Sequence, residues 1–448
     1  MTSDAVLAGT QPASAKALLP LALFLMLFLG TGLYFQLNGV EYAFYQLPSP
    51  VAILPAIALG IILSKQAFEA RIATFVQGVG DSNIVTMCLI YLLAGAFSTA
   101  GGVDAVVALG LHVIPPAFLL PGLFIIAAVV STAMGTSMGT LAALAPVVLG
   151  LGQATGIDLP LLAGVLVSGA MFGDNLSFIS DTTIAAARTQ GCEMKDKFRA
   201  NLKIALPAAL LTLLWLLSYD TGNAPLTVPD ANLWLSLPYF AIIVLAVLGL
   251  NVFVVLTLGI LLAAAFGMFA VDYQWVAFSQ DIYEGFGSMQ EIFLLSLLIG
   301  GLSALIRQQG GLAFLANSVE AVTRRLSRHK QRSAALGISG LTALTNLCVA
   351  NNTVSILLAG EVSKRLAKQG NLAARQSASL LDIFACVVQG ALPYGAQALL
   401  MGASFKISPL AVSLHTGYCF ILALVALAII AWRRPLEDRQ VIAKPDLT

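Results

Sequence analysis

The sequence predicts an all-α polytopic membrane protein. It has two inverted repeats, each of five spanning helices plus one re-entrant hairpin, with paired broken helices. Three observations predict this. The chain is far more apolar than a soluble protein, its basic residues gather in clusters separated by long basic-free tracts, and one order of elements occurs twice.

Of the 448 residues, 58% are hydrophobic and 10% are charged. Soluble domains carry about 25% charged residues, so lipid must be the solvent for much of this chain. A net charge of +1 gives no electrostatic footprint for nucleic acid. The five cysteines are scattered and form no CxxC pair, so neither disulfides nor a thiolate metal site is expected. Lys16 precedes the first apolar run without a clear cleavage motif, and that run is read as a retained span.

Apolar runs of spanning character fall at 17–36, 50–64, 84–100, 201–219, 234–250, 251–271, 291–306 and 408–432. The run at 50–64 is short and must borrow flanking residues. Two further pairs are interrupted by polar and Gly-rich tracts: 117–152 with 160–190, and 333–362 with 376–404. Lys and Arg collect on the cytoplasmic side of short loops. With the N-terminus inside, Lys65, Arg71 and the cluster Arg188, Lys195, Lys197, Arg199, Lys203 also lie inside. Residues 72–187 and 204–306 contain no Lys or Arg. A second cluster, Arg307 to Arg332, precedes 333–362, and Lys364, Arg365, Lys368 and Arg375 follow it. Both flanks are basic, so 333–362 enters and leaves from the cytoplasm as a hairpin. By the same logic 117–152 is a hairpin from outside, and 160–190 and 376–404 are broken spans. Arg433, Arg434, Arg439 and Lys444 fall inside, and Lys406 alone falls outside. The basic clusters are read as topology determinants and lipid-facing anchors.

The first repeat is 1–220, the second 221–433, and 434–448 is a cytoplasmic tail. Five spans per half make the halves opposite in orientation. They also resemble each other in detail. Phe75–Val–Gln–Gly–Val–Gly80 corresponds to Ile282–Tyr–Glu–Gly–Phe–Gly287, Gly101–Gly102 to Gly310–Gly311, and Gly173 and Gly390 are placed at the two breaks. Paired broken helices in inverted repeats point to a transporter that holds its substrate near the midplane. Such breaks should line a cavity, because lipid leaves freed backbone groups unsatisfied.

The clearest candidate site is Gly173–Asp174–Asn175–Leu176–Ser177–Phe178–Ile179–Ser180–Asp181–Thr182–Thr183, which interrupts an apolar helix beginning near Leu161. A carboxylate inside a span is costly and functional by default. Asp174, Asn175, Ser177, Ser180, Asp181 and Thr182 supply the hard oxygen ligands of a small cation, with Na+ expected at Asp174 and Asp181. A carboxylate in such a cavity can trade a proton for a cation. The bland alternative makes Ser180 or Asp181 the N-cap of the second half-helix.

A substrate cavity is expected between two hairpin tips. The first offers Ser131, Thr132, Thr136 and Ser137, whose small side chains also suit tight helix packing. The second offers Asn346, Asn351, Asn352 and Thr353, whose alternative use is interhelical hydrogen bonding. Asp382, Gln389 and Tyr394 in the second broken span complete it, with Asp382 either a cation or proton site or the partner of an Arg. His415 is left as a packing residue. No GxxxxGK[ST] run and no metalloprotease spacing occur, so neither ATP drive nor an intramembrane zinc site is indicated.

The run from Gly173 to Thr183 resembles the GD-x-x-S-P-x-S-DTT signature of the NhaC-type sodium/proton antiporter family, within the ion transporter superfamily. Asp174, Ser177, Ser180, Asp181, Thr182 and Thr183 match it, and Phe178 stands where the family has Pro. The resemblance implies a secondary transporter of the bacterial inner membrane, with both termini cytoplasmic and Na+ or H+ as coupling ion in place of any cofactor. Two activities stay open: sodium/proton exchange, which needs only carboxylates and hydroxyls, and Na+- or H+-coupled movement of an amino acid or small organic acid. A membrane-embedded hydrolase is disfavoured, since His112, His329 and His415 sit on different segments. The bilayer and a monovalent cation are the expected partners, and the resemblance admits a homodimer.

Overall fold

The computed structural model describes residues 12–40, 43–99, 103–113, 115–219, 232–271, 274–325 and 330–432. Gly101–Gly102, His329, the start of the second repeat and the tail 434–448 therefore lie outside the described residues. The described chain is helical, and no strand occurs in it.

The first half runs through α1 (Leu19–Leu37), α2 (Ser49–Leu63), α3 (Phe68–Val79), α4 (Ser82–Thr99), α5 (Val103–Val113), α6 (Leu119–Met134), α7 (Ser137–Thr155), α8 (Leu159–Leu176), α9 (Asp181–Gln190) and α10 (Met194–Leu216). The second half repeats this order: α11 (Leu237–Val247), α12 (Val252–Val271), α13 (Trp275–Ser288), α14 (Gln290–Gln308), α15 (Gly311–Arg325), α16 (Lys330–Val349), α17 (Asn352–Gln369), α18 (Ala374–Ala391) and α19 (Ala396–Phe405). A short α20 (Pro409–Leu414) then precedes α21 (Gly417–Trp432). Among the described residues seven helices are long and apolar enough to cross a bilayer, or eight if the bent pair α3–α4 is one span. One of the seven, Ser137–Thr155, lies within the run expected as a re-entrant hairpin. The runs expected as spans at 50–64, 234–250 and 408–432 form helices shorter than 18 residues (Ser49–Leu63, Trp234–Val247, Gly417–Trp432).

Burial separates core from scaffold. Over an 18-residue apolar stretch of each, 83% of Leu159–Leu176 and 78% of Ala374–Phe405 is buried, against 22% of Ala15–Leu37. The hairpins and broken helices therefore form the core, and helices such as α1 present apolar side chains (Met26, Tyr34) outward, as lipid contact requires. Glycines allow the closest contacts. A Cβ at Gly169 or Gly173 would overlap the carbonyls of Phe124 and Ala128, so this small-xxx-small pair lets α8 lie against α6 backbone to backbone. The halves exchange their amphipathic helices. Gly78 of α3 packs on Gly300 and Gly301 of α14, and Gly285 of α13 packs on Gly95 of α4. Gly78 and Gly285 are the corresponding glycines of the two aligned sequence motifs.

The breaks fall a little later than expected. Gly173 and Gly390 lie inside α8 and α18, and the helices part at Ser177–Ser180 and Leu392–Gly395. Gly173 is a packing residue, and Gly390 likewise makes room for Cys419 and Met171.

Candidate ion-binding site

Each half builds the same local device. In the first hairpin, α6 ends at Gly135 in the left-handed region (φ 70°), where glycine has no steric penalty. Thr136 then caps α7, its hydroxyl accepting from the Gly139 N–H. In the second hairpin Ala350 takes the left-handed position (φ 52°), and Asn351 caps α17 by accepting from Val354 N–H at 3.0 Å. Side chains then tie each hairpin to its neighbouring broken helix. Ser131 Oγ donates to the Ala170 carbonyl at 2.6 Å, and Asn346 Nδ2 donates to the Ala385 carbonyl at 2.8 Å, with partners 39 residues apart in both cases. Ser177 Oγ donates to the Thr132 carbonyl and Tyr394 OH to the Leu347 carbonyl, satisfying backbone just short of each tip. Aligning the halves on the Ser131 and Asn346 bonds places Gln389 where Asp174 stands, and Gln397 where Thr182 stands.

Ser131, Ser177, Asn346 and Tyr394 are thus engaged with backbone carbonyls and do not line the cavity between the tips. Thr132 is likewise outside it, its hydroxyl donating to Ala128. The tightest cluster is centred on Asp174, which is 5% exposed. Its carboxylate accepts from Ser137 Oγ at 2.8 Å, Ser137 N–H at 3.3 Å and Ser180 Oγ. Ser180 Oγ lies 2.9 Å from Thr182 Oγ1. Ser180 occupies the N-cap position of α9 with no side-chain capping bond, because its hydroxyl faces Asp174 instead.

A chain of hydrogen bonds crosses from this cluster to the other half. Gln397 Nε2 donates to Ser137 Oγ at 3.2 Å, Gln389 Nε2 donates to Gln397 Oε1 at 2.9 Å, and Gln389 Nε2 also reaches the Ala350 carbonyl at 3.2 Å. Both hairpin tips and both broken helices therefore meet through one polar chain. Beside it is a cavity of about 90 Å³, lined by Thr136, Ser137, Asp174, Ser180, Asp181, Thr182, Asn351, Asn352, Thr353, Gln389 and Gln397, with Asn83 and Thr86 from α4. Asp181, the first residue of α9, is exposed where Asp174 is buried. The two carboxylates sit on separate half-helices and share no continuous helical face.

Asp382 and Asn175 stand apart from that cavity. Asp382 pairs with Lys197 of α10 at 2.6 Å, both side chains 1% exposed. Lys197 Nζ also donates to Thr183 Oγ1 at 2.7 Å and to the Asn175 carbonyl at 3.2 Å. Asn201 Nδ2 donates to Asp382 at 2.6 Å and to the Asn175 carbonyl at 3.0 Å, and it also contacts the Asn175 side-chain oxygen. Asp382, open in the sequence to an ion site or an Arg partner, is paired with a lysine, and one member of the basic cluster is no lipid-facing anchor. Helical phase explains it. Lys197, Asn201, Ile204, Ala205, Ala208, Thr212 and Leu216 are the buried face of α10, whereas Arg199 and Lys203 point away from it. That three-and-four spacing is readable in the sequence, and it is the signal that would have found Lys197 and Asn201. Phe178, at the signature's proline position, stacks on Phe198 with centroids 4.3 Å apart and does not face the cavity.

An oxygen-lined cavity at the junction of two hairpins and two broken helices is the kind of site that secondary transporters carry. Residues 82–220, which contain the first hairpin and the signature, match the model of the Na+/H+ antiporter family. The chain is 29% identical over 301 residues to a malate-2H(+)/Na(+)-lactate antiporter of Bacillus subtilis (60% of this chain, 64% of that protein). It is 25% identical over 352 residues to the Na(+)/H(+) antiporter NhaC of Alkalihalophilus pseudofirmus (71% and 74%). It is 24% identical over 472 aligned residues to the arginine/ornithine antiporter ArcD of Halobacterium salinarum (96% and 94%). The resemblance to NhaC-type antiporters is borne out, and these similarities, all to antiporters, support an ion-coupled secondary transporter rather than an enzyme.

Proposed function

We propose that the protein exchanges Na+ for H+ by alternating access, with Asp174 as the group that binds one or the other. The hydrogen-bonded convergence of Ser137 and Ser180 on the buried Asp174 carboxylate carries this reading. With a proton on Asp174 the carboxyl is neutral. With Na+ bound, the hydroxyls of Ser137, Ser180 and Thr182 can rotate to offer lone pairs alongside the carboxylate. Oxygen-only donors of this kind suit a hard cation. Asp181 and Asn351 extend the oxygen set toward the cavity. A volume of about 90 Å³ is that of roughly three waters, enough for a partly hydrated cation and well below the usual range for larger organic ligands.

The topology proposed with it has ten crossings and two re-entrant hairpins in a bacterial-type inner membrane, both termini on the basic, cytoplasmic side, and halves of opposite orientation. The shared element order and the reciprocal packing of α3 on α14 and α13 on α4 support that arrangement.

One observation favours a second reading, coupled movement of an organic acid or amino acid. The second half contributes Asn351, Asn352, Thr353, Gln389 and Gln397, neutral groups that a bare cation site does not need. Relatives named for lactate and for arginine and ornithine are compatible with it. A thermal-shift screen of purified protein separates the two. Na+, Li+ and K+ are tested alone, then Na+ with a panel of amino and organic acids, with Asp174→Asn as control. Ligands that bind the folded state raise its apparent stability by mass action. Stabilisation by Na+ alone, lost in the variant, supports exchange. Stabilisation by one organic solute only when Na+ is present supports the second reading and rejects the first.

A further inference from the structure

A second cavity, of about 330 Å³, lies at the basic ends of α10, α16 and α18, closed on one side by α21. The ion site makes no use of it. Four cationic side chains from three helices line it, Arg199, Lys203, Arg332 and Arg375, against one carboxylate, Asp196. Asp196 is already 4.0 Å from Arg199. Ser379 is 2% exposed, lines the cavity, and its hydroxyl has no hydrogen-bond partner. Gln331 and Gln376 add neutral polar groups beside them, and the side formed with α21 is apolar: Ile204, Leu380, Ile429 and Ile430. That wall continues onto the outer surface of α21, where Leu424 and Leu427 are 68% and 41% exposed.

We propose that this cavity binds the phosphate headgroup of an anionic membrane lipid. A surplus of cations and an unused buried hydroxyl donor select an anion with several acceptor oxygens. The apolar wall leading out along α21 selects one that carries acyl chains. Basic pockets between helices on the cytoplasmic side are suited to such headgroups, and the positive-inside rule puts this end of the molecule there. The lipid would brace α10 against α18, the two helices that carry Lys197 and Asp382.

The test is native mass spectrometry and thermal unfolding of the detergent-purified full chain, with phosphatidylglycerol or cardiolipin added, phosphatidylcholine as neutral lipid, and soluble glycerol 3-phosphate as headgroup without chains. The expected result is retention of anionic lipid and a rise in Tm of about 2–5 °C that phosphatidylcholine and glycerol 3-phosphate do not reproduce. Arg332→Gln combined with Lys203→Gln should reduce lipid retention at least fivefold and Ser379→Ala by less, while Lys364→Gln, a basic residue outside the cavity, should not reduce it. Equal protection by glycerol 3-phosphate overturns the lipid assignment in favour of a free-anion site. Equal retention by wild type and the Arg332/Lys203 variant overturns the site itself. The readout is binding, so a failure of the exchange reading leaves it unaffected.

Discussion

Replacing Lys197 with methionine tests whether the buried ion pair holds the two halves together. Lys197→Met keeps the length of the side chain and removes its charge. It leaves the Asp382 carboxylate, 1% exposed, without its cation, and the Asn175 carbonyl and Thr183 hydroxyl each without one donor. Breaking one side of a buried pair costs roughly 3–5 kcal/mol, whereas replacing both partners can be nearly neutral. Asp382→Asn alone strands the ammonium and should cost a similar amount. Lys197→Met with Asp382→Asn removes both charges, and the new amide oxygen can still accept from Asn201, so most of the loss should return. Thermal unfolding in detergent reads the difference: each single variant should fall by several degrees and the double variant should recover at least half. Transport by the double variant in proteoliposomes then separates bracing from coupling. A brace alone predicts recovered exchange. Equal destabilisation of the single and double variants, or no effect of Lys197→Met, would refute the reasoning.

Three further outcomes are expected. Gly285→Ala drives a methyl into the Gly95 carbonyl and should cost about 1–3 kcal/mol by overpacking, seen as a lower Tm, with Gly287→Ala, where space is open, as the mild control. Ala350→Gly relieves a left-handed alanine (φ 52°) and should stabilise by about 0.5–1 kcal/mol, whereas Gly135→Ala imposes the same strain at the first tip, meets Ile179, and should lower both Tm and exchange. Cysteine introduced at Gln153 should react with an impermeant external reagent in sealed cells, and cysteine introduced at Lys368 should not; the opposite pattern rejects the proposed sidedness of the hairpins.

Much of this architecture was legible because a bilayer makes polar residues conspicuous. Asp174, the hydroxyl tip at 131–140 and the Asn-rich tip at 345–353 stand out against apolar sequence, and the structure brings Asp174, Thr136, Ser137, Asn351, Asn352, Thr353 and Gln389 to one cavity. Composition could not separate groups that face the cavity from groups that satisfy freed backbone. Ser131, Ser177, Asn346 and Tyr394 are of the second kind, a use that emerges only when hairpin and broken helix are seen side by side. Lys197 was hidden in a loop-proximal basic cluster, where charge counting treats all members alike and only helical phase distinguishes the one that points inward. Asn83 and Thr86 carried no signal, since two small polar residues at the start of a span are ordinary at a membrane boundary. Glycine and the polar run together marked the first break, yet Gly173 serves close packing, and the chain parts where Ser177 and Ser180 direct their hydroxyls to the Thr132 carbonyl and to Asp174.

The most direct test of the central claim is Na+-driven proton movement in proteoliposomes, comparing wild type with Asp174→Asn. The asparagine keeps the size of the side chain and can still accept from Ser137 and Ser180, so unchanged Tm and a monodisperse elution profile would establish that the fold survives. With a pH gradient imposed, external Na+ should dissipate it through wild type and leave it intact with Asp174→Asn. Exchange by a folded Asp174→Asn protein at the wild-type rate would contradict the assignment of Asp174 as the group on which Na+ and H+ compete.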